Sequence, residues 1–391
     1  MTYMSPRIDL SCAAAWPMRS DPRAMMFLQL PPWLQPFLTW LTARPAPGEA
    51  VPPSSPQRFV TAALACSLGG AALTAWALER SGWALFGPLP LGLLLTSSGL
   101  GLLQVVVFHH CAHGTVFRDR ARNRLVGRAI SALLLFRQFD AYQRGHMLHH
   151  SPRKLLTAED EFADFVFAMC GLHAGTAKRA LWRRVLANLV SPGFHARFLW
   201  RRLHASLGSA DRAHNAFGIA AWACGFAAAA ASGRLVGFLV AWVLPVTVLL
   251  QVATVFRILC EHRFPAPALI AARGKEFICR ATAGVFPGAM PPHRSAASLH
   301  GLLAWTWWWV QMLTVQLFVR LFVLVGDAPC HDFHHRRPAT RRWTGYIQAR
   351  QQDVDAGCPG FPLNYQESWG LFRAIDENLA TLAATPPGAV G

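Results

Sequence analysis

Residues 83–113 read WALFGPLPLGLLLTSSGLGLLQVVVFHHCAH, a run with no ionisable side chain from Trp83 to Phe108 and then three histidines in five positions. As an α-helix the stretch is about 46 Å long, against about 30 Å of hydrocarbon in a bilayer. A helix of that length crosses a membrane and stands clear of it by several turns, carrying His109 and His113 into water. Its apolar part predicts an all-α membrane fold, and its end predicts where the chemistry lies.

Three further apolar runs flank it. Residues 59–78 precede it through the short link Glu79-Arg80-Ser81-Gly82, and residues 216–232 and 235–256 are joined by Ser232-Gly233-Arg234. The expected fold is an all-α integral membrane protein with four transmembrane helices (about 59–78, 83–108, 216–232 and 235–256) as two hairpins, topped by a helical cytoplasmic cap. Composition agrees: 53% of residues are hydrophobic, only 15% are charged, and there are 15 tryptophans. The net charge of +17 does not point to nucleic acid, because of where it lies. Arg118, Arg120, Arg122, Arg124, Arg128, Arg144 and Arg153 all fall between the hairpins, whereas each short link has one arginine. By the positive-inside rule the long segment and both termini are cytoplasmic. Nine cysteines without a CxxC pair do not form a secreted disulfide framework, and Cys111 and Cys330 read as small buried side chains. Residues 1–58 have no signal-peptide pattern; an aromatic stretch, 27–41, broken by Pro31, Pro32 and Pro36, is expected to rest at the membrane interface before a Pro-rich linker, 45–56. A membrane domain, 59–378, and a tail, 379–391, complete the expected organisation, with apolar residues at helical spacing in 369–382 packing onto the cap.

Nine of the sixteen histidines fall in three windows: His109-His110-Cys111-Ala112-His113, His146-Met147-Leu148-His149-His150 and His331-Asp332-Phe333-His334-His335. On a helix, positions i, i+3 and i+4 share a face, so His109/His113, His146/His149/His150 and His331/His334/His335 can each present a row of ring nitrogens. Eight such nitrogens exceed the four ligands of a structural zinc and suit two neighbouring metal ions. Residues 235–262 span about 42 Å as a helix, which brings His262 to the same depth and makes it a ninth candidate ligand. Residues 299–325 are apolar and rich in Trp. An odd fifth crossing there would strand the third window on the far side of the membrane, so this segment is expected to be interfacial or re-entrant.

The windows resemble the histidine boxes HxxxH, HxxHH and HxxHH of the membrane fatty acid desaturase and hydroxylase superfamily, with Phe117 after the first box and Arg336-Arg337-Pro338 after the third as in bacterial members. The resemblance covers residues 59–378. It implies a non-haem site with two iron ions, O2 as co-substrate, hydrogen abstraction from an unactivated C–H bond, and a lipid or acyl substrate. His110 stands where many members have an acidic residue, so it reads as a group behind the ligands. The chain lacks a haem-binding HPGG segment, which implies a separate electron donor of ferredoxin or cytochrome type. Carboxylates are expected to orient the imidazoles by accepting their distal N–H groups, with Asp140, Glu161, Glu261 and Asp332 as candidates.

The expected activity is introduction of a double bond into an acyl chain carried by phospholipid, CoA or acyl carrier protein. The alternative within the superfamily is a hydroxylase or other oxygenase. A more distant one, a metal transporter, would place ionisable ligands inside the spans, where this sequence has none. The basic stretch 179–202 reads either as positive-inside bias or as a contact for acidic lipid or an acidic electron donor. The excess of Arg over Lys, with abundant Ala, Gly and Pro, suggests a GC-rich bacterial genome and an inner-membrane location.

Overall fold

A computed structural model describes residues 20–390, so residues 1–19 of the N-terminal stretch lie outside the described residues. The chain opens with two short helices, α1 (Pro22–Gln29) and α2 (Gln35–Thr42). The first hairpin follows as α3 (Pro56–Leu78) and α4 (Gly82–Ala112). Next come four cap helices, α5 (Arg120–Leu133), α6 (Phe139–His149), α7 (Lys178–Val190) and α8 (Pro192–Leu207), and then the second hairpin, α9 (Arg212–Ala231) and α10 (Leu235–Glu261). After α11 (Gly274–Ala281) and strand β1 (Gly284–Phe286) come α12 (Leu299–Phe322), α13 (His331–Arg336), α14 (Tyr346–Asp355), strand β2 (Glu367–Trp369) and α15 (Leu371–Ala384). The two strands pair in parallel, Val285 opposite Ser368.

The first hairpin closes along a seam of small residues. Ala63, Ser67, Gly70, Thr74 and Ala77 are the buried positions of α3, spaced alternately four and three apart. Gly92, Thr96 and Gly99 face them, and a Cβ built on Gly99 would sit 2.4 Å from the Ser67 amide nitrogen. Lipid gives no hydrophobic drive for helices to associate, so close backbone approach supplies the packing instead. Gly99→Leu should therefore force the helices apart and cost at least about 1–3 kcal/mol, the usual penalty for overpacking. A lowered midpoint in a detergent melting curve checks this, and an unchanged midpoint would show that the seam tolerates a side chain.

Among the described residues four helices are long and apolar enough to cross a membrane: Pro56–Leu78, Gly82–Ala112, Leu235–Glu261 and Leu299–Phe322. This set differs from the expected one at two places. The third expected span, 216–232, falls on α9, a helix of 20 residues that opens on the polar Arg212, His214 and Asn215 and does not rank with the others. Its placement still matches a hairpin arm. Arg234, at the link following α9, lies 3.9 Å from Glu79 at the link following α3, so both short links sit at one end of the molecule.

The second difference is α12, expected to be interfacial. The run before it lies antiparallel along the helix: Gly288 N–H donates to Gln316, Trp308 to the Ala289 carbonyl and Trp305 to the Arg294 carbonyl. The chain thus leaves at Phe286 and returns to Cys330 and Phe333, which pack with Phe286 in one apolar cluster. Outward run and returning helix cancel, and the third histidine window stays at the level of the others.

The C-terminal helix lies where its periodicity predicts, with Leu371, Ala374, Ile375, Leu379 and Leu382 buried. Asn378 donates to the Leu259 carbonyl near the end of α10, which ties the C-terminus to the helix that delivers His262.

Candidate metal centre

The register of α4 shifts just before its histidines. Residues Leu102–Phe108 form a π-helical stretch, a wider turn common beside functional groups. His109 follows as the first residue of the last α-helical turn, and His113 is its C-cap. Helix α10 ends at Glu261, where His262 turns extended and bridges to Thr282. Its Nδ1 faces the Ala281 carbonyl at 3.3 Å, leaving Nε2 free to face the other histidines.

The structure brings all nine expected imidazoles together in two groups. His109, His113, His146, His150 and His334 form one, and His149, His262, His331 and His335 the other; within each, one nitrogen per residue lies within 4.8 Å of all the rest. In the first group Nε2 atoms meet at 2.7 Å (His109–His334), 2.9 Å (His113–His146), and 3.0 Å (His109–His146 and His150–His334). In the second, His331 and His262 meet at 3.2 Å. Neighbouring ligands at right angles on a metal with bonds of 2.0–2.1 Å stand about 3.0 Å apart, so the spacing fits a coordination sphere. The two groups abut, the rings of His150 and His335 being 4.3 Å apart.

Helical geometry assigns the residues. His146 and His150, four apart, serve the first group while His149 between them serves the second; in α13 the pattern inverts, His331 and His335 serving the second and His334 the first. Expected as single rows, two of the windows are split between two sites.

The donor chemistry also fits a cation. Burial, reinforced by His110 and His149, pushes the His113 pKa down to about 3. His146, His150, His262, His331, His334 and His335 are likewise held well below the usual imidazole range by burial first and by neighbouring groups, mainly other histidines. Neutral imidazole is the metal-binding form. Buried His335 has no hydrogen-bond partner at either nitrogen, which a metal would satisfy.

The expected orienting carboxylates are largely corrected. Asp140 pairs with Arg124 at 2.8 Å and touches no histidine; that arginine holds its pKa down to about 2. Glu161 pairs with Arg137, and Asp332 is clasped by Arg350 at 2.7 Å. Glu261 is the exception: held by Arg257 at 2.9 Å, it lies 3.9 Å from His331 Nδ1. The direct partner of the second window is Asp160, whose Oδ1 lies 2.8 Å from His149 Nδ1. Burial disfavours the charged imidazole of His149, but Asp160 outweighs it and raises the pKa. Asp160 also accepts the backbone N–H groups of Leu156 and Phe162. Its place at a helix N-cap in the acidic run 159–161 was the available signal. Asp160→Asn should keep the fold and lower metal affinity about 10–100-fold, the usual effect of losing such a partner. Metal titration of the purified protein checks this; wild-type affinity would make the pair a bystander.

His110 stands apart from both groups. Its Nε2 lies 2.7 Å from Asp327, its Nδ1 3.3 Å from the Thr115 hydroxyl, so both nitrogens are engaged. Asp327 reaches it because Gly326 adopts φ +55° and lies where a Cβ would strike Val106 at 2.4 Å.

A cavity of about 950 Å³ borders both groups, reaching His109, His146, His149, His262 and His331. Val105, Phe165, Met169, Phe198 and Ile258 give it apolar walls, and Arg137, Arg144, Arg201 and Asp164 give it charged ones.

A family model described as fatty acid desaturase matches residues 81–290, more than half of the chain. The match takes in the first two windows and His262 and stops short of the third, which the fold brings to them. No curated protein matches the sequence.

Proposed function

Because this chain belongs to the fatty acid desaturase family, we propose that it is an O2-dependent di-iron enzyme that introduces a double bond into an acyl chain. It is an integral membrane oxidoreductase of the desaturase and hydroxylase superfamily. The observation that carries the di-iron, acyl-chain reading is the pair of abutting all-histidine groups on the wall of an acyl-sized cavity. Imidazole suits iron, among other metals. His109, His113, His146, His150 and His334 would hold one ion and His149, His262, His331 and His335 the other. The pair would supply the power to activate O2 and take hydrogen from an unactivated C–H bond. Val105, Phe165, Met169, Phe198 and Ile258 would hold the alkyl chain and exclude water, while Arg144, which has no carboxylate partner among the described residues, would meet an anionic head group. Asp160, accepting the His149 Nδ1 proton, fixes that ring with Nε2 toward the metal.

In this reading the histidine end of the helices faces the cytoplasm of a bacterial inner membrane, on the side of the abundant arginines. Helix α12 lies in the interface, with Leu303 and Trp307 60% and 62% exposed on its outer side. Crossing would carry the run 287–298, which is neither helix nor strand, into hydrocarbon.

Lipid mass spectrometry of cells with and without the protein tests the proposal. An acyl product lighter by two hydrogens supports desaturation. A product heavier by one oxygen would make the enzyme a hydroxylase, and an unchanged lipid profile would overturn the acyl substrate.

A further inference from the structure

Three near-parallel rings lead from the first histidine group to the outer layers of the cap. His109 and His110 stack at 5.1 Å with an interplanar angle of 10°, and His110 and Trp343 stack at 4.2 Å and 12°. His110 cannot ligate through either engaged nitrogen, yet it lies between a ligand and an indole. Trp343 sits on the single turn Arg341–Gly345, is 2% exposed, and donates its N–H to the Thr115 carbonyl at 3.4 Å. Its other neighbour is Phe59, with ring centroids 5.2 Å apart.

Each segment around the indole also carries an exposed arginine: Arg341 and Arg342 on its own turn, Arg118 beyond Thr115, and Arg58 beside Phe59. None of the four has a carboxylate partner among the described residues; Arg342 bonds only the Gln352 amide oxygen. Asp119, next to Arg118, is turned to the N-cap of α5 and to Arg122. A buried stack thus ends beneath a surface of uncompensated positive charge.

We propose that Trp343 and His110 form the port through which electrons reach the metal centre, and that the arginines above it dock an acidic one-electron carrier protein. This rests on the di-iron reading above. Reduction of O2 to two waters takes four electrons and four protons. Desaturation supplies two of each from the two C–H bonds that are lost. The remaining two electrons come singly from the carrier, and their two protons from solvent. Electron tunnelling falls steeply with distance, and rings with centroids 5.1 and 4.2 Å apart bridge the protein between the indole and a ligand. Opposite charge accelerates and orients the encounter, and its effect weakens with salt.

The test uses the iron-loaded full-length protein in nanodiscs, with reduced [2Fe–2S] ferredoxin as the acidic carrier and dithionite as a small reductant. Trp343→Leu should slow reduction by ferredoxin at least about tenfold and leave iron content and dithionite reduction unchanged, while Trp343→Phe, which keeps a ring, should fall within about threefold of wild type. Arg341→Glu/Arg342→Glu, on the surface, should weaken ferredoxin binding about tenfold and flatten its salt dependence. Wild-type ferredoxin kinetics in Trp343→Leu would overturn the port. Should that variant fail to fold, unchanged ferredoxin affinity in the double arginine variant would overturn it instead. If the double variant lost affinity only for vesicles containing phosphatidylglycerol, the arginines would be head-group contacts and the docking site would fall. A wild-type protein that dithionite cannot reduce would refute the di-iron reading and not the port alone.

Discussion

His334→Ala should abolish turnover and leave at most about one iron per chain while the protein still inserts and folds. His334 Nε2 is the meeting point of the first group, 2.7 Å from His109 and 3.0 Å from His150. It links the end of α4, the end of α6 and the third window, which three separate parts of the chain supply. Its ring makes no hydrogen bond outside the histidines, so its removal deletes a ligand without leaving a buried carboxylate or backbone group unpaired. The fold should therefore survive, apart from the modest cost of a buried ring lost. Iron analysis, product formation and a melting curve on one preparation separate these effects. Full activity in His334→Ala would remove the shared centre from consideration.

The largest expected loss of stability follows from the neighbouring pair. Arg350 reaches Asp332 through Nε at 3.0 and 3.1 Å and through Nη2 at 2.7 Å, and its Nη1 holds Glu367 at 2.9 Å. Both side chains are almost wholly buried, at 2% and 1% exposure. Arg350→Met would leave the Asp332 carboxylate uncompensated between His331 and Phe333, at a cost of about 3–5 kcal/mol. The double variant Arg350→Met/Asp332→Leu should recover most of that, because the penalty belongs to the stranded charge and not to the missing bond. Thermal unfolding of both variants checks the pair. Equal destabilisation in single and double variants would show that Arg350 acts through packing against Phe286 and Tyr365 instead.

Helix length and hydropathy made the membrane fold legible, because both are one-dimensional properties of a run of residues. The same rule placed His262, whose depth follows from counting along α10. Side-chain pairing across the cap was not legible in the same way. Asp140 lies closer in sequence to the second window than Asp160 does, yet Arg124 claims it, and only the fold of residues 150–160 turns Asp160 back onto His149. Asp332, inside a window, points to Arg350, since successive positions on a helix face different directions. The meeting of the third window with the other two was required by parity, whereas the antiparallel run 287–298 that allows it carries no periodicity to read. Trp343 offered no local signal: its stacking partner is more than two hundred positions away.

The split of two windows between two groups has a consequence for how metal is acquired. Helices α6 and α13 each grip both sites, so an ion in one site orders side chains that belong to the other. Occupancy of the two should then be linked reciprocally, each ion raising affinity for its neighbour. If the metal is the iron proposed above, scarcity should divide the protein into empty and full molecules with few half-loaded ones.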